Sequence, residues 1–131
     1  MNGTENNLPT TRFGHNPSMQ DELAQLILLG IKTVSCSALC HYRKGGEVKP
    51  KIGQLYQLLN GAGRAIAVIK ITTLEERRFC HIDAAFAQAE GEGDLSLDDW
   101  RRTHCAFFTR KGVLDNRMEL LCEYFELVST Q

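Results

Sequence analysis

A lysine and two hydroxyls lie close together in Gly30-Ile31-Lys32-Thr33-Val34-Ser35, at the end of an apolar periodic segment. A serine or threonine hydroxyl becomes nucleophilic only with a base beside it. A lysine can serve if burial lowers its pKa from a free value of about 10.4. On spacing alone a plainer reading competes: Lys32 as a solvated cation at a helix end and Ser35 as an ordinary strand residue. The acidic turn Glu90-Gly91-Glu92-Gly93-Asp94 is a second feature. Its carboxylates could supply a general base or hold a cation, yet they lack the donor series of a calcium loop. The plainer reading there is a flexible connector between helices.

Cysteine and histidine recur as Cys36-x3-Cys40-His41, Cys80-His81 and His104-Cys105, without a second pair at zinc-site spacing. No metal and no cofactor is expected. Trp100, Phe107 and Phe108 could stack a base, but at helical spacing such a stripe belongs to a core, with His104 a hydrogen-bonded core histidine. Arg43, Lys44, Lys49 and Lys51 form one basic cluster, and Arg101-Arg102 and Arg110-Lys111 form others that could meet phosphates.

The elements that must position these groups follow from capping and periodicity. Asn16 suits an N-cap and Pro17 the first helical position, while Met19, Leu23, Leu26 and Ile27 recur on one face before Gly30. Thr33–Leu39 reads as a strand, and the glycine-, proline- and lysine-rich stretch after it as an exposed loop. Leu55–Leu59 and Ala65–Ile71 flank Asn60-Gly61-Ala62-Gly63-Arg64 as a hairpin, with Thr72–Arg78 as a frayed or edge extension. Asp83–Ala89 forms a short helix. Ser96 and Asp99 resemble a capping box that opens a further helix, stopped by Gly112. Leu120–Val128 closes the chain as a strand. The order points to a mixed α+β domain.

Composition narrows the partners. With 15 basic and 16 acidic residues the 131-residue chain carries a net charge of −1. Wrapping a long nucleic acid by counterion release calls for a basic excess, so any such contact must be a local patch or a one-nucleotide pocket. The N-terminal residues are polar and lack the apolar stretch of a secretory signal. No segment approaches the roughly 18 apolar residues of a membrane span. Five cysteines, an odd number without repeated spacing, fit reduced thiols and a cytoplasmic location.

Taken together, Phe13-Gly14, Leu29-Gly30-Ile31-Lys32-Thr33, Lys51-Ile52-Gly53, Ala89-Glu90-Gly91-Glu92-Gly93-Asp94-x-Ser96-Leu97-x-x-Trp100-Arg101, His104-x-x-Phe107 and Leu121-Cys122-Glu123-Tyr124-Phe125 resemble the ASCH family. Its domains are similar to the PUA β-barrels of RNA-modifying proteins. The resemblance implies a PUA-like, mixed, mainly antiparallel β-barrel flanked by about three helices. That single domain would occupy 13–131, after a flexible tail at 1–12. Short bacterial relatives are amidohydrolases that remove the acetyl group of N4-acetylcytidine; other relatives are linked to RNA cleavage or to RNA binding alone. By resemblance Lys32, Ser35 and Glu90 would be catalytic. Thr33, Tyr42, Arg43, Lys49, Lys51, Glu92 and Asp94 are the expected substrate contacts, with RNA or a modified nucleoside as the partner and no membrane involved. The chain departs from the short relatives in four respects: serine at position 35 in place of threonine, a longer loop at 40–51, extra residues in the acidic turn, and Gln54 where aspartate is common.

Two mechanisms stay open. A neutral Lys32 could deprotonate Ser35, although an ionised Glu90 nearby would raise the lysine's pKa. Alternatively, Glu90 is the base for Ser35 or a water, and protonated Lys32 stabilises the oxyanion. Residues three apart in a strand point to opposite faces, so Lys32 must precede the strand, which leaves Thr33 as a competing hydroxyl.

Overall fold

The computed structural model describes residues 8–42, 46–115 and 117–130. Helix α1, Pro17–Leu28, starts where the sequence predicts it. Asn16 is extended and its Oδ1 accepts the Met19 N–H at 2.8 Å, while Pro17 fills a position that needs no N–H. The helix closes in a Schellman turn, with Gly30 N–H donating to the Ile27 carbonyl and Ile31 N–H to the Leu26 carbonyl, both at 3.0 Å. Gly30 sits at φ +77° to make that turn. The closure sets the direction in which Lys32 leaves the helix.

Among the described residues five strands form one sheet: β1 (Thr10–Thr11), β2 (Val34–Ala38), β3 (Leu55–Leu59), β4 (Ala65–Arg78) and β5 (Glu119–Thr130). Their spatial order is β1-β3-β4-β5-β2. Among these strand pairs β1–β3 is parallel and the rest are antiparallel. Two helices, α2 (Ala84–Glu90) and α3 (Leu97–Arg110), and 3₁₀ turns at Leu39–Tyr42 and Phe79–His81 complete the described architecture. The mixed α+β character and the three helices agree with expectation; the closed barrel does not. Among the described residues β1 and β2 form the two free edges and do not pair. β1 is only two residues long, too short to carry a ladder around to β2, and side chains of both edges line a common cleft instead.

Two further expectations are refined. Thr72–Arg78 is an edge extension but not a frayed one: its pairing with β3 ends at Lys70, while β4 stays in register with β5 as far as Arg78 opposite Glu119. The 12-residue β5 supplies a partner long after the five-residue β3 has ended. The segment 1–12, expected as a tail, contains β1, with Thr10 and Thr11 opposite Gln57 and Leu58; residues 1–7 lie outside the described part.

Strand alternation divides the core into two layers. Val34, Ala38, Leu120 and Cys122 pack with Phe86, Trp100 and Phe108 of α2 and α3 on one face of the sheet. Leu58, Ala67, Ile69, Ile71 and Phe125 pack with Ala24 and Ile27 of α1 on the other. Cross-strand neighbours share a face, so Ser35 and Glu123, directly opposite each other, belong with Phe125 on the α1 side.

Candidate functional site

Lys32 leaves the α1 turn two residues before β2 begins, so its side chain is free of the strand's alternation. Its position is fixed from both sides. Thr33 N–H donates to the Ala89 carbonyl at 2.9 Å, and Phe125 N–H donates to the Thr33 carbonyl at 3.1 Å. The junction is thereby tied to the end of α2 and to β5. At that end Gly91 caps α2 in the left-handed region, φ 73°. A Cβ there would lie 2.9 Å from the Ile31 carbonyl oxygen, so only glycine lets the acidic turn come this close to the lysine.

The result is a buried charge cluster. Lys32 is 2% exposed and Glu90 1%. Lys32 Nζ donates to Glu90 Oε1 at 2.6 Å and to Glu92 Oε2 at 2.7 Å, and makes a long contact of 3.4 Å with the Glu90 carbonyl. The other Glu90 oxygen, Oε2, accepts from Trp100 Nε1 at 3.1 Å and from Cys36 Sγ at 3.4 Å, and His104 Nε2 stands 3.4 Å away. His104 is held by its other nitrogen, Nδ1, 2.9 Å from the Trp100 carbonyl, with its ring stacked 4.2 Å from the indole. α3 carries both rings because Ser96 caps it, accepting the Asp99 N–H at 3.0 Å. The capping box is half-formed: Ser96 N–H goes to Asp94 Oδ1, and the short Asp99 side chain bonds Arg102.

These contacts separate the titrations. Burial alone would lower the Lys32 pKa, but the charges and hydrogen bonds of Glu90 and Glu92 override it and hold the pKa above its ordinary value. Lys32 is an ammonium, which removes it as the base for Ser35. Burial would raise Glu90, yet Lys32 and His104 hold it well below the usual carboxylate range. Among the described residues the Glu92 carboxylate has Lys32 alone as a direct partner, so burial, aided by repulsion from Glu90, keeps its pKa raised. Burial, followed by the Glu90 charge, pushes the Cys36 thiol well up, so it stays protonated and donates.

The cluster opens on a cleft of about 450 Å³ bounded by both sheet edges, α1 and α3. That is within the usual range for a small-molecule site, roughly 300–1,000 Å³. Lys32, Ser35, Glu90, Glu92 and Tyr42 line it, and Ser37 Oγ and Tyr42 Oη share a hydrogen bond of 2.9 Å on its wall. Arg12, Arg110 and Lys111 add positive charge to the lining. Among the described residues Ser35 makes no hydrogen bond to Lys32 or Glu90, although all three line the cleft.

Other expected contacts lie elsewhere. Thr33 is exposed and absent from the lining, because it points away from its buried neighbours Lys32 and Val34. Lys49 is paired with Glu76 at 2.8 Å, Lys51 is exposed, and Asp94 binds the Ser96 N–H; none of the three lines the cleft. Arg43 lies outside the described residues. Sequence reasoning gave no role to Glu123, weighed Cys36 only as a metal ligand and read His104 as a core histidine, without its contact with Glu90. Nothing in its spacing sets Glu123 apart from the other two glutamates of β5.

Cys36, Glu90 and His104 bring ligand atoms within 4.8 Å of one another, a spacing that could suit a metal ion. Glu90 is, however, already matched by Lys32 and by the Trp100 N–H, so the set has its charge compensated without one.

A family model of the ASCH domain matches residues 10–129. The ASCH domain of Lactobacillus crispatus JV V101 superposes with a TM-score of 0.88 at 32% identity, covering 97% of this chain and 83% of that one. A protein of Enterococcus faecalis V583, assigned to a family of unknown function, gives a TM-score of 0.83 at 34% identity over 93% of this chain and 77% of its own. None of the curated protein sequences compared with the chain matches it. A buried lysine between two glutamates, an open mixed sheet and these similarities lead to one conclusion: the chain belongs to the ASCH domain family.

Proposed function

We propose that the domain hydrolyses an acyl group from a modified nucleoside, with N4-acetylcytidine as the leading substrate. The observation that carries this reading is the buried Lys32 ammonium, held charged by two glutamates at the wall of a nucleoside-sized cleft that Ser35 also lines. A buried ion pair is weak evidence of stabilisation, since desolvation offsets much of its attraction. A fixed positive charge facing a cleft, in contrast, suits an anion that develops during reaction.

Ser35 Oγ gives its proton to a base in the cleft, which later returns it to the leaving amine, and adds to the acyl carbon as the carbonyl oxygen becomes negative. An ammonium has three N–H donors, and two are engaged at short distance. The third, on the Glu90 carbonyl at 3.4 Å, is the one an oxyanion would take over. The C–N bond then breaks, the amine leaves with a proton, and water hydrolyses the serine ester. Glu90, one of the two candidate bases in the sequence, is better suited to orienting and charging Lys32, because its bonds make it a weak proton acceptor. Arg12, Arg110 and Lys111 would accept the phosphate if the substrate is a nucleotide or an RNA end.

The test is turnover of acylated nucleosides by the wild type and by Lys32→Ala, Ser35→Ala and Glu90→Ala. Losses of about 10²-fold or more are expected in each. Equal turnover in all four proteins refutes the site. Ribonuclease activity through Lys49 or Lys51 is less well supported, since both stand away from the cleft.

A further inference from the structure

Glu123 stands directly across the β2–β5 ladder from Ser35, and both side chains line the cleft. Directly opposed residues in an antiparallel pair have Cβ atoms about 4.5–5.5 Å apart, within reach for a carboxylate and a hydroxyl to share a proton. Among the described residues the Glu123 side chain has neither a hydrogen bond nor an ion pair. Its neighbour Phe125 and its partner Leu74 on β4 are apolar. An acid in such a place is costly to keep unless it has work in the cleft.

We propose that Glu123 is the general base of the site, accepting the Ser35 hydroxyl proton as Oγ attacks the acyl carbon of the substrate. This rests on reading the cleft as a serine-dependent deacylase. In the first step the O–H bond of Ser35 breaks, its proton goes to the Glu123 carboxylate, and the Oγ–C bond forms. The electron pair of the C=O bond moves to the oxygen beside Lys32. In the second step that pair returns, the C–N bond breaks, and Glu123 gives its proton to the leaving nitrogen. Water then repeats the sequence on the serine ester, its proton passing to Glu123 and from there to Ser35.

The charged groups of the buried cluster are occupied. Lys32 is held as an ammonium and Glu90 accepts from Lys32, Trp100 and Cys36. Glu92 is tied to Lys32. The environment of Glu123 suits the task at neutral pH: burial pushes its pKa up to about 7, with the Lys32 charge opposing. The other titratable groups that act with it are Tyr42 beyond β2, Tyr56 on β3 and Cys122 on its own strand, and burial holds all three above their ordinary values. None of them changes charge near neutrality.

Two measurements on the full chain test the assignment. First, the Glu123 carboxyl is titrated by ¹³C NMR without ligand; a midpoint near 7 is expected, and one in the ordinary glutamate range overturns the proposal. Second, Ser35 labelling by a fluorophosphonate is followed by mass spectrometry against pH, alongside N4-acetylcytidine turnover. Labelling should rise with pH and level off above about 7, and Glu123→Gln should slow it by about 10²-fold and flatten the profile. Labelling unchanged in Glu123→Gln, falling as pH rises through 7, or absent from the wild type overturns the proposal. Turnover lost in Ser35→Ala but intact in Glu123→Gln leaves the deacylase reading standing and removes Glu123. Glu123-dependent labelling without turnover of any acylated nucleoside does the reverse.

Discussion

Lys32 and Glu90 are 58 residues apart in the chain, and their side chains meet at 2.6 Å with almost no exposure to solvent. Each is held by further partners: Glu92 takes a second lysine proton, and Trp100 and Cys36 bond the far oxygen of Glu90. The pair is therefore a fixed electrostatic element, and removing any member leaves a buried group uncompensated.

Lys32→Met illustrates the asymmetry. It leaves Glu90 and Glu92 facing each other without a cation, and should cost about 3–5 kcal/mol, the usual penalty for breaking one side of a buried pair. Urea denaturation at neutral pH measures it; a loss below about 1 kcal/mol would mean that water already screens the cluster.

Trp100→Phe keeps the apolar ring beside Phe79 and Phe86 but removes the N–H that Glu90 Oε2 accepts. A loss of about 1–3 kcal/mol is expected, since a hydrogen bond to a buried charge disappears. If acylated nucleosides are the substrate, turnover should fall as well, because Glu90 then holds Lys32 less firmly.

Gly91→Ala should be destabilising by about 1–3 kcal/mol on account of the left-handed backbone alone. It should also push the acidic turn off Ile31, whose carbonyl oxygen a Cβ would approach to 2.9 Å. Thermal unfolding gives the first effect. A shift in the Lys32 Nζ resonance reports the second.

Stability should also respond to Glu123. Its folded pKa of about 7 lies above the unfolded value of about 4.3, so between those limits the native state binds the extra proton. Stability from this group is thus full below about pH 4 and declines as pH rises to about 7. Glu123→Gln lacks the titration and should exceed the wild type by about 1–2 kcal/mol at pH 8, after allowance for partial solvent screening. Parallel stability–pH curves for the two proteins would contradict it. The effect is opposite in sign to that of Glu90. Its lowered pKa adds stability that is present above about pH 4.3 and is lost as pH falls through the folded value.

The sequence by itself determined what local chemistry controls. Asn16, Pro17 and Gly30 set the limits of α1; Asp83 and Ser96 open α2 and α3; alternation marks β2 and β5. Motif resemblance also assigned Lys32 and Glu90 to one site, which no spacing rule could do for residues 58 apart.

Tertiary structure alone decided which side chains share the cleft. Thr33 and Ser35 are two residues apart, yet Thr33 is exposed while Ser35 lines the cleft, directly across the ladder from Glu123. Lys49 has the right chemistry for phosphate but is drawn to Glu76, a residue that becomes its neighbour only because β4 runs on to Arg78. Glu123 is one of three glutamates in β5, and only the register places it across from Ser35. Capping and periodicity act over a few residues and are written in the chain. Cross-strand register and edge position arise from pairing between distant segments, and they fix the direction of every side chain at once.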